Sequence, residues 1–299
     1  MDRRTFLLGV FALAGCAQAR PSGGGTSPVA AGASAAPVGS TDPTPTAHAI
    51  TIGGDQTPTG VLLSALLTGA VTGSGAAGTG TDWRAALGAG TIAATPVYAA
   101  TAWAELSDSD EPSDDVVGDL AGLVQPDVSV MAAGKLDAGL VWKMPVNPAV
   151  SSLAQVAKFL KGKTVAVPAF AVERADGLPG LSVIYDAKVR HVVEDDPVAR
   201  AALVTSGKAA FGAFRRTEYL GTDKLGDLGD PSGMAVPDPV VLAVNAAFAD
   251  ADPNEVLALN AVLQALTDAD LVDLQRQVAG GSDATGVAHR WLVAKGLAT

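Results

Sequence analysis

Cysteine is almost missing from this sequence: 299 residues hold one, Cys16. A single thiol excludes an intramolecular disulfide and any metal site built on several cysteines. Histidine is as scarce. His48, His191 and His289 are the whole set, and none stands at metal-ligand spacing from another. Basic charge is in deficit, with 20 Lys and Arg against 31 Asp and Glu and a net charge of −11. Phosphate contacts need clustered Lys and Arg, so nucleic acid is excluded as a partner. Serine-elbow and Walker signatures are missing too. Gly73-Ser74-Gly75-Ala76-Ala77-Gly78 matches a dinucleotide-binding glycine pattern, but it follows a helical signal where that pattern requires a strand. It reads as a flexible loop. The acidic run from Asp108 to Asp115 reads as solvated surface. Neither an enzyme constellation nor a cofactor or metal site is expected.

The N-terminus carries the sharpest motif. Asp2-Arg3-Arg4 is a short charged region, and Thr5 to Ala14 is a mostly apolar run below the roughly 20 residues that span a bilayer. It leads into Leu13-Ala14-Gly15-Cys16, which reads as a lipobox. Residues 1–15 are then a signal peptide, and Cys16 is the lipidated first residue of the mature chain. Arg3-Arg4-Thr5-Phe6-Leu7 also resembles a twin-arginine signal, which leaves the export route open. Residues 16–46 are mostly Gly, Ser, Ala, Pro and Thr. They cannot bury enough surface to offset chain entropy and read as a tether.

From Ala47 onward strand and helix signals alternate, which argues for an α/β fold with mostly parallel strands. Ile50 to Gly54 reads as a strand, Gly60 to Val71 as a helix and Thr91 to Tyr98 as a second strand. Leu140-Val141-Trp142, Thr164 to Pro168 and Ala209 to Phe214 read as further strands, with helices over Leu153 to Leu160 and Val198 to Leu203. Three helices close the chain. They are capped at Asp252, at Thr267 and at Ser282 or Asp283, and Gly296 sits at the last C-terminus. A second transmembrane run is not seen.

Arg174-Ala175-Asp176-Gly177-Leu178-Pro179-Gly180-Leu181 with Tyr185, the stretch from Leu259 to Val278 with Gly280-Gly281 and then Val287 to Leu292, and the opening Ile50-Thr51-Ile52-Gly53-Gly54 together resemble one family. It is the substrate-binding proteins of ABC transporters for glycine betaine, choline and related solutes. The resemblance spans Ile50 to Leu297. It implies a two-lobe, type II periplasmic-binding-protein-like fold with a hinge and an interlobe cleft. Lobe 1 is expected over 47–148 and 240–299 and lobe 2 over 149–239, with crossovers near 145–152 and 236–241.

The family grips a quaternary ammonium in an aromatic cage and its carboxylate with basic and hydroxyl groups. Carried onto this chain, the resemblance implies Arg174 as the carboxylate-binding arginine, Tyr98 as a cage ring with Thr101 as its hydroxyl partner, and Phe214 as a cage ring in lobe 2. Arg215 and Thr217 beside it, and Asn147 at the first crossover, complete the implied ligand set. Asp55 and Thr57 stand where the family carries a lysine and an aromatic, and Asp238 where it carries a cage tyrosine. Such carboxylates suit a cation, a polyol or a phenol. The implied partners are a small solute, an ABC permease and the outer face of the membrane through Cys16, with the chain monomeric. A solute sensor or scaffold lipoprotein of the same fold is the alternative.

Overall fold

The computed structural model describes residues 50–298, apart from 73, 79–81, 108, 110–113, 148 and 158–161. Residues 1–46, read from sequence as signal peptide, Cys16 and tether, and His48 therefore lie outside the described residues.

The chain opens with β1 (Ile50–Gly54), α1 (Pro58–Ala70), β2 (Ser74–Gly78), α2 (Trp83–Gly88), β3 (Ala94–Tyr98), α3 (Ala99–Leu106), α4 (Val116–Val124) and β4 (Val128–Val130). It continues with β5 (Leu140–Pro145), α5 (Leu153–Ala157), β6 (Thr164–Val167), a 3-10 turn at Ala169–Ala171, α6 (Leu178–Tyr185), β7 (Arg190–Val193), α7 (Pro197–Thr205), β8 (Phe211–Arg215) and β9 (Leu225–Leu228). It ends with β10 (Val240–Asn245), α8 (Ala246–Ala251), α9 (Pro253–Ala265), α10 (Asp268–Ala279) and α11 (Ala284–Lys295).

Two five-stranded sheets result, ordered β2-β1-β3-β10-β4 and β7-β6-β8-β5-β9. They share one plan. Three parallel strands lie beside an antiparallel strand that arrives from the other half of the chain: β10 in the first sheet and β5 in the second. The second sheet thus takes up the chain at Leu140, upstream of the crossover expected near 145–152. Leu140 to Lys143 pair with β8, and Trp142 to Pro145 pair with β9, so Pro145 ends a strand where a linker was expected. The two linkers, 131–139 and 229–239, run side by side. Asp137 bridges Pro239, and the Ala138 N–H donates to the Asp238 carbonyl at 2.9 Å.

Each sheet is covered on both faces, and strand alternation assigns the faces. Along β10, Val240, Leu242 and Val244 enter one core with helices α1, α9, α10 and α11, while Val241 and Ala243 enter the core under α2, α3 and α4. In the second sheet Val165, Val167, Phe211 and Ala213 face the core under α5 and α6, while Ala166 and Phe214 face α7.

Local chemistry starts the helices. Thr57 caps α1 by accepting from the Gly60 N–H, with Pro58 in the first turn. Thr267 and Asp270 form a capping box on α10, Asp283 caps α11, and Gly296 adopts φ 70° at its end. Residues 74–78, read from sequence as flexible loop, form an edge strand paired in parallel with β1 from Ile50 to Gly54. Strand pairing is a backbone property, and this Gly- and Ala-rich segment joins a sheet without the β-branched residues that mark a strand in sequence. Gly73, the first residue of that pattern, lies outside the described residues.

Candidate functional site

A cleft of about 870 Å³ opens between the lobes. From the first lobe α3 lines it with Thr101, Trp103 and Glu105. From the second the segment after β6 lines it with Phe170, Glu173 and Arg174. Both walls follow the carboxyl end of a strand (β3 and β6), where open α/β sheets leave room for ligands.

Asp238, on the returning linker, organises the base of the cleft. Helix α3 follows β3 without a loop, and its N-cap residue Tyr98 makes no side-chain cap. The Asp238 carboxylate supplies the cap from outside. Its Oδ1 accepts from the Ala100 and Thr101 N–H groups at 2.8 and 3.2 Å, and its Oδ2 accepts from the Thr101 hydroxyl at 2.6 Å. Negative charge at a helix N-terminus is favourable. Two guanidinium groups from the second lobe then meet the same oxygen, Arg215 Nη1 at 2.7 Å and Arg174 Nη1 at 3.1 Å. Arg174 also grips Asp176 with a two-pronged fork, Nε to Oδ1 at 2.8 Å and Nη2 to Oδ2 at 2.7 Å. The Thr101 hydroxyl accepts from Arg174 Nη1 at 2.6 Å and from Arg215 Nη2 at 3.0 Å. Thr101, Arg174, Arg215 and Asp238 are therefore one ion cluster that joins both lobes and a linker.

Burial alone would raise the Asp238 carboxyl. The Arg215 and Arg174 charges and the Thr101 hydrogen bond outweigh it and leave the pKa below the ordinary 3.8. Burial works against the Arg174 charge as well, yet Asp176 and Asp238 hold its pKa above the ordinary value. Burial also pushes the Tyr98 phenol well above its ordinary 10.0, against the pull of Arg215, so it stays protonated at neutral pH. Partial burial raises the Glu105 carboxyl above the usual range.

Two rings meet the Arg215 guanidinium. Its central carbon lies 4.1 Å from the Tyr98 ring centroid and 4.1 Å from that of Phe170. Tyr98 ends β3 in the first lobe, and Phe170 sits in the 3-10 turn of the second. Aromatic faces attract cations most strongly where water is excluded, and Arg215 is buried.

Of the residues singled out from sequence, Tyr98, Thr101, Arg174, Arg215 and Asp238 come together here. The others do not. Asp55 accepts from the Thr57 N–H and hydroxyl in the turn that starts α1, although its charge still reaches Tyr98. Asn147 is exposed and accepts from the Ala149 N–H in a surface turn. Phe214 is a core residue against α7, with Arg200 above its ring at 4.9 Å, and is no cage ring. The Thr217 side chain is buried, and its carbonyl accepts from Gln275 Nε2 at 2.6 Å. Sequence reasoning missed Phe170, Trp103, Glu105, Glu173 and the Asp176 partner of Arg174. Phe170 carried one usable signal, its place just after the strand that ends at Val167.

This geometry is that of a two-lobe fold with a cleft between the lobes. The model of the substrate binding domain of ABC-type glycine betaine transport systems matches residues 56–294, and the chain belongs to that family. It is thereby a solute-binding component of an ABC importer, and its family is one of transport proteins that act outside the cytoplasm. Solved structures agree on the fold. A glycine betaine/carnitine/choline ABC transporter protein matches with TM-score 0.69 at 14% identity, over 83% of this chain and 99% of its own. Apo YehZ from Escherichia coli matches with TM-score 0.65 at 18% identity, over 84% and 100%. Lactococcal OpuAC, closed and complexed with glycine betaine, matches with TM-score 0.60 at 14% identity, over 82% and 95%. No curated protein matches in sequence.

Proposed function

We propose that this chain is a lipid-anchored receptor that takes a compact cationic or zwitterionic solute of the betaine and choline class into the cleft and hands it to an ABC permease. One observation carries the choice of solute. Both guanidinium groups at the cleft base are already paired with carboxylates, whereas Glu105 and Glu173 line the cleft with no ion-pair partner among the described residues. The uncompensated charge is negative, on walls that are otherwise largely apolar and include Trp103 and Phe170. A positively charged head with an apolar body matches both features. The names of the related structures point to the same class.

A thermal-shift screen of the full chain tests this reading, with betaines, choline, carnitine, polyols, amino acids and small phenolics. A ligand at a hundredfold excess over Kd that binds only the folded state stabilises it by about 2.7 kcal/mol. Cationic and zwitterionic solutes are expected to shift the melting temperature, and Glu105→Gln with Glu173→Gln to diminish that shift. A polyol or phenolic that binds better than any cation overturns the choice of solute. Uptake that does not require the partner permease favours a sensor or scaffold role instead.

A further inference from the structure

The aromatic pair formed by Tyr98 and Phe170 is a cation site that the chain fills for itself. We propose that Arg215 determines specificity by occupying this site and so keeping free quaternary ammonium and guanidinium ions out of it. Cation recognition is thereby confined to the outer cleft, around Glu105 and Glu173.

The site has everything a free organic cation would need. Two ring faces lie 4.1 Å from one point, a carboxylate oxygen of Asp238 is 2.7 Å from the cation, and the group is buried. The rings come from opposite lobes, so a cation held there touches both. What stands there is the side chain of β8's last residue. Its position is over-determined: its backbone lies in register with Leu140 of β5, and its amide N–H donates to Glu218 Oε2 at 3.0 Å. Its guanidinium donates to the Ala138 carbonyl at 3.2 Å, to Asp238 and to the Thr101 hydroxyl. A diffusing cation would have to compete with a tethered one that carries no cost of lost translational freedom.

Removing the tethered cation leaves rings and carboxylate in place. Asp238 keeps Arg174 and the α3 N–H groups as partners, so its charge stays compensated. Arg215→Ala is expected to bind tetramethylammonium and choline on the order of tenfold tighter than wild type. The gain should be abolished by adding Tyr98→Leu. Arg215→Lys, which leaves a tethered cation in place, should show no gain. Calorimetric titration of the full chain and its variants with tetramethylammonium reads all three. The proposal is overturned if Arg215→Ala folds and binds no more tightly than wild type. It is equally overturned if wild type already binds tetramethylammonium with an affinity that falls on Tyr98→Leu, a comparison that needs no Arg215 variant to fold. The outer cleft is not lined by Tyr98. Wild-type binding that ignores Tyr98→Leu therefore belongs to the outer cleft and leaves this proposal standing. A wild type that binds nothing sinks the choice of solute above, while the Tyr98-dependent gain in Arg215→Ala still reads this inference.

Discussion

Phe214 and Arg215 are neighbours on β8 yet face opposite sides of the second sheet. Phe214 points into the core beneath α7, and Arg215 points across the cleft base to Tyr98 and Asp238. The two-residue strand period fixes this division, so one position is structural and the next belongs to the site. Phe214→Ala is therefore expected to cost about 3–5 kcal/mol of stability, the usual penalty for emptying a core ring site. Solute affinity, measured where the variant is folded, should be unchanged. Urea denaturation and a ligand titration on the same sample check both halves, and a loss of affinity without loss of stability would return Phe214 to the site.

Asp238 makes stability depend on acid. Its folded pKa lies below the unfolded one, so the stability it contributes is present above the unfolded value of about 3.9 and is lost as pH falls through the folded pKa. Asp238→Asn leaves the buried Arg215 without its carboxylate and Arg174 with Asp176 alone, and is expected to cost about 3–5 kcal/mol at neutral pH. The gap between variant and wild type should narrow as pH falls through the lowered pKa of Asp238 and the wild-type carboxyl takes up its proton. Denaturant titrations across that range follow the gap directly. A gap that does not change with pH would mean the carboxylate charge is not what the cluster depends on.

Much of the fold was legible in the sequence because it rests on signals a few residues long. The caps at Thr267 and Asp283, the glycine at 296 and the apolar strands Ile50 to Gly54 and Thr164 to Val167 are all local. The strand at Ser74–Gly78 was not legible, since its pairing is written in the β1 backbone rather than in its own side chains. The site was legible only in part. Arg174, Tyr98, Thr101 and Asp238 stand at positions that the family resemblance marks, but the resemblance assigned Asp238 to a ligand. In the structure its carboxylate meets two arginines, 64 and 23 residues distant in the chain, besides Thr101 and the start of α3. Which of two adjacent residues on β8 faced the cleft also depended on sheet register, which a motif does not carry. Phe170 was missed because a lone ring after a strand looks like core until a cation is placed above it.

Gly177 ties the cleft wall to its own turn. A Cβ added there would lie 2.0 Å from the Ala171 carbonyl oxygen, a backbone atom that no rotamer change can move. Gly177→Ala should therefore push the 3-10 turn at Ala169–Ala171 away, carrying Phe170 with it. Overpacking of this kind costs about 1–3 kcal/mol. The variant is expected to fold but to bind solute more weakly than wild type. Melting temperature and solute affinity should fall together, whereas Gly162→Ala, where an added Cβ meets nothing within 4 Å, should lower melting temperature through its positive φ alone and leave affinity intact.

The membrane anchor is testable with one substitution, because Cys16 is the only thiol in the chain. If Leu13-Ala14-Gly15-Cys16 is processed as a lipobox, cells grown with labelled fatty acid will incorporate label into wild type and none into Cys16→Ser. Each buried methylene adds about 0.8 kcal/mol of membrane affinity, and a two-chain anchor holds stably where a single chain does not. Wild type is therefore expected to stay with membranes through a high-salt wash that strips proteins held by charge, a force the net charge of −11 opposes on an anionic surface. Cys16→Ser, with no second thiol to take its place, should lose both the label and the detergent-dependent release. Label retained in that variant would place the lipid elsewhere, and an unlabelled wild type that washes off would make residues 1–15 an ordinary cleaved or uncleaved leader.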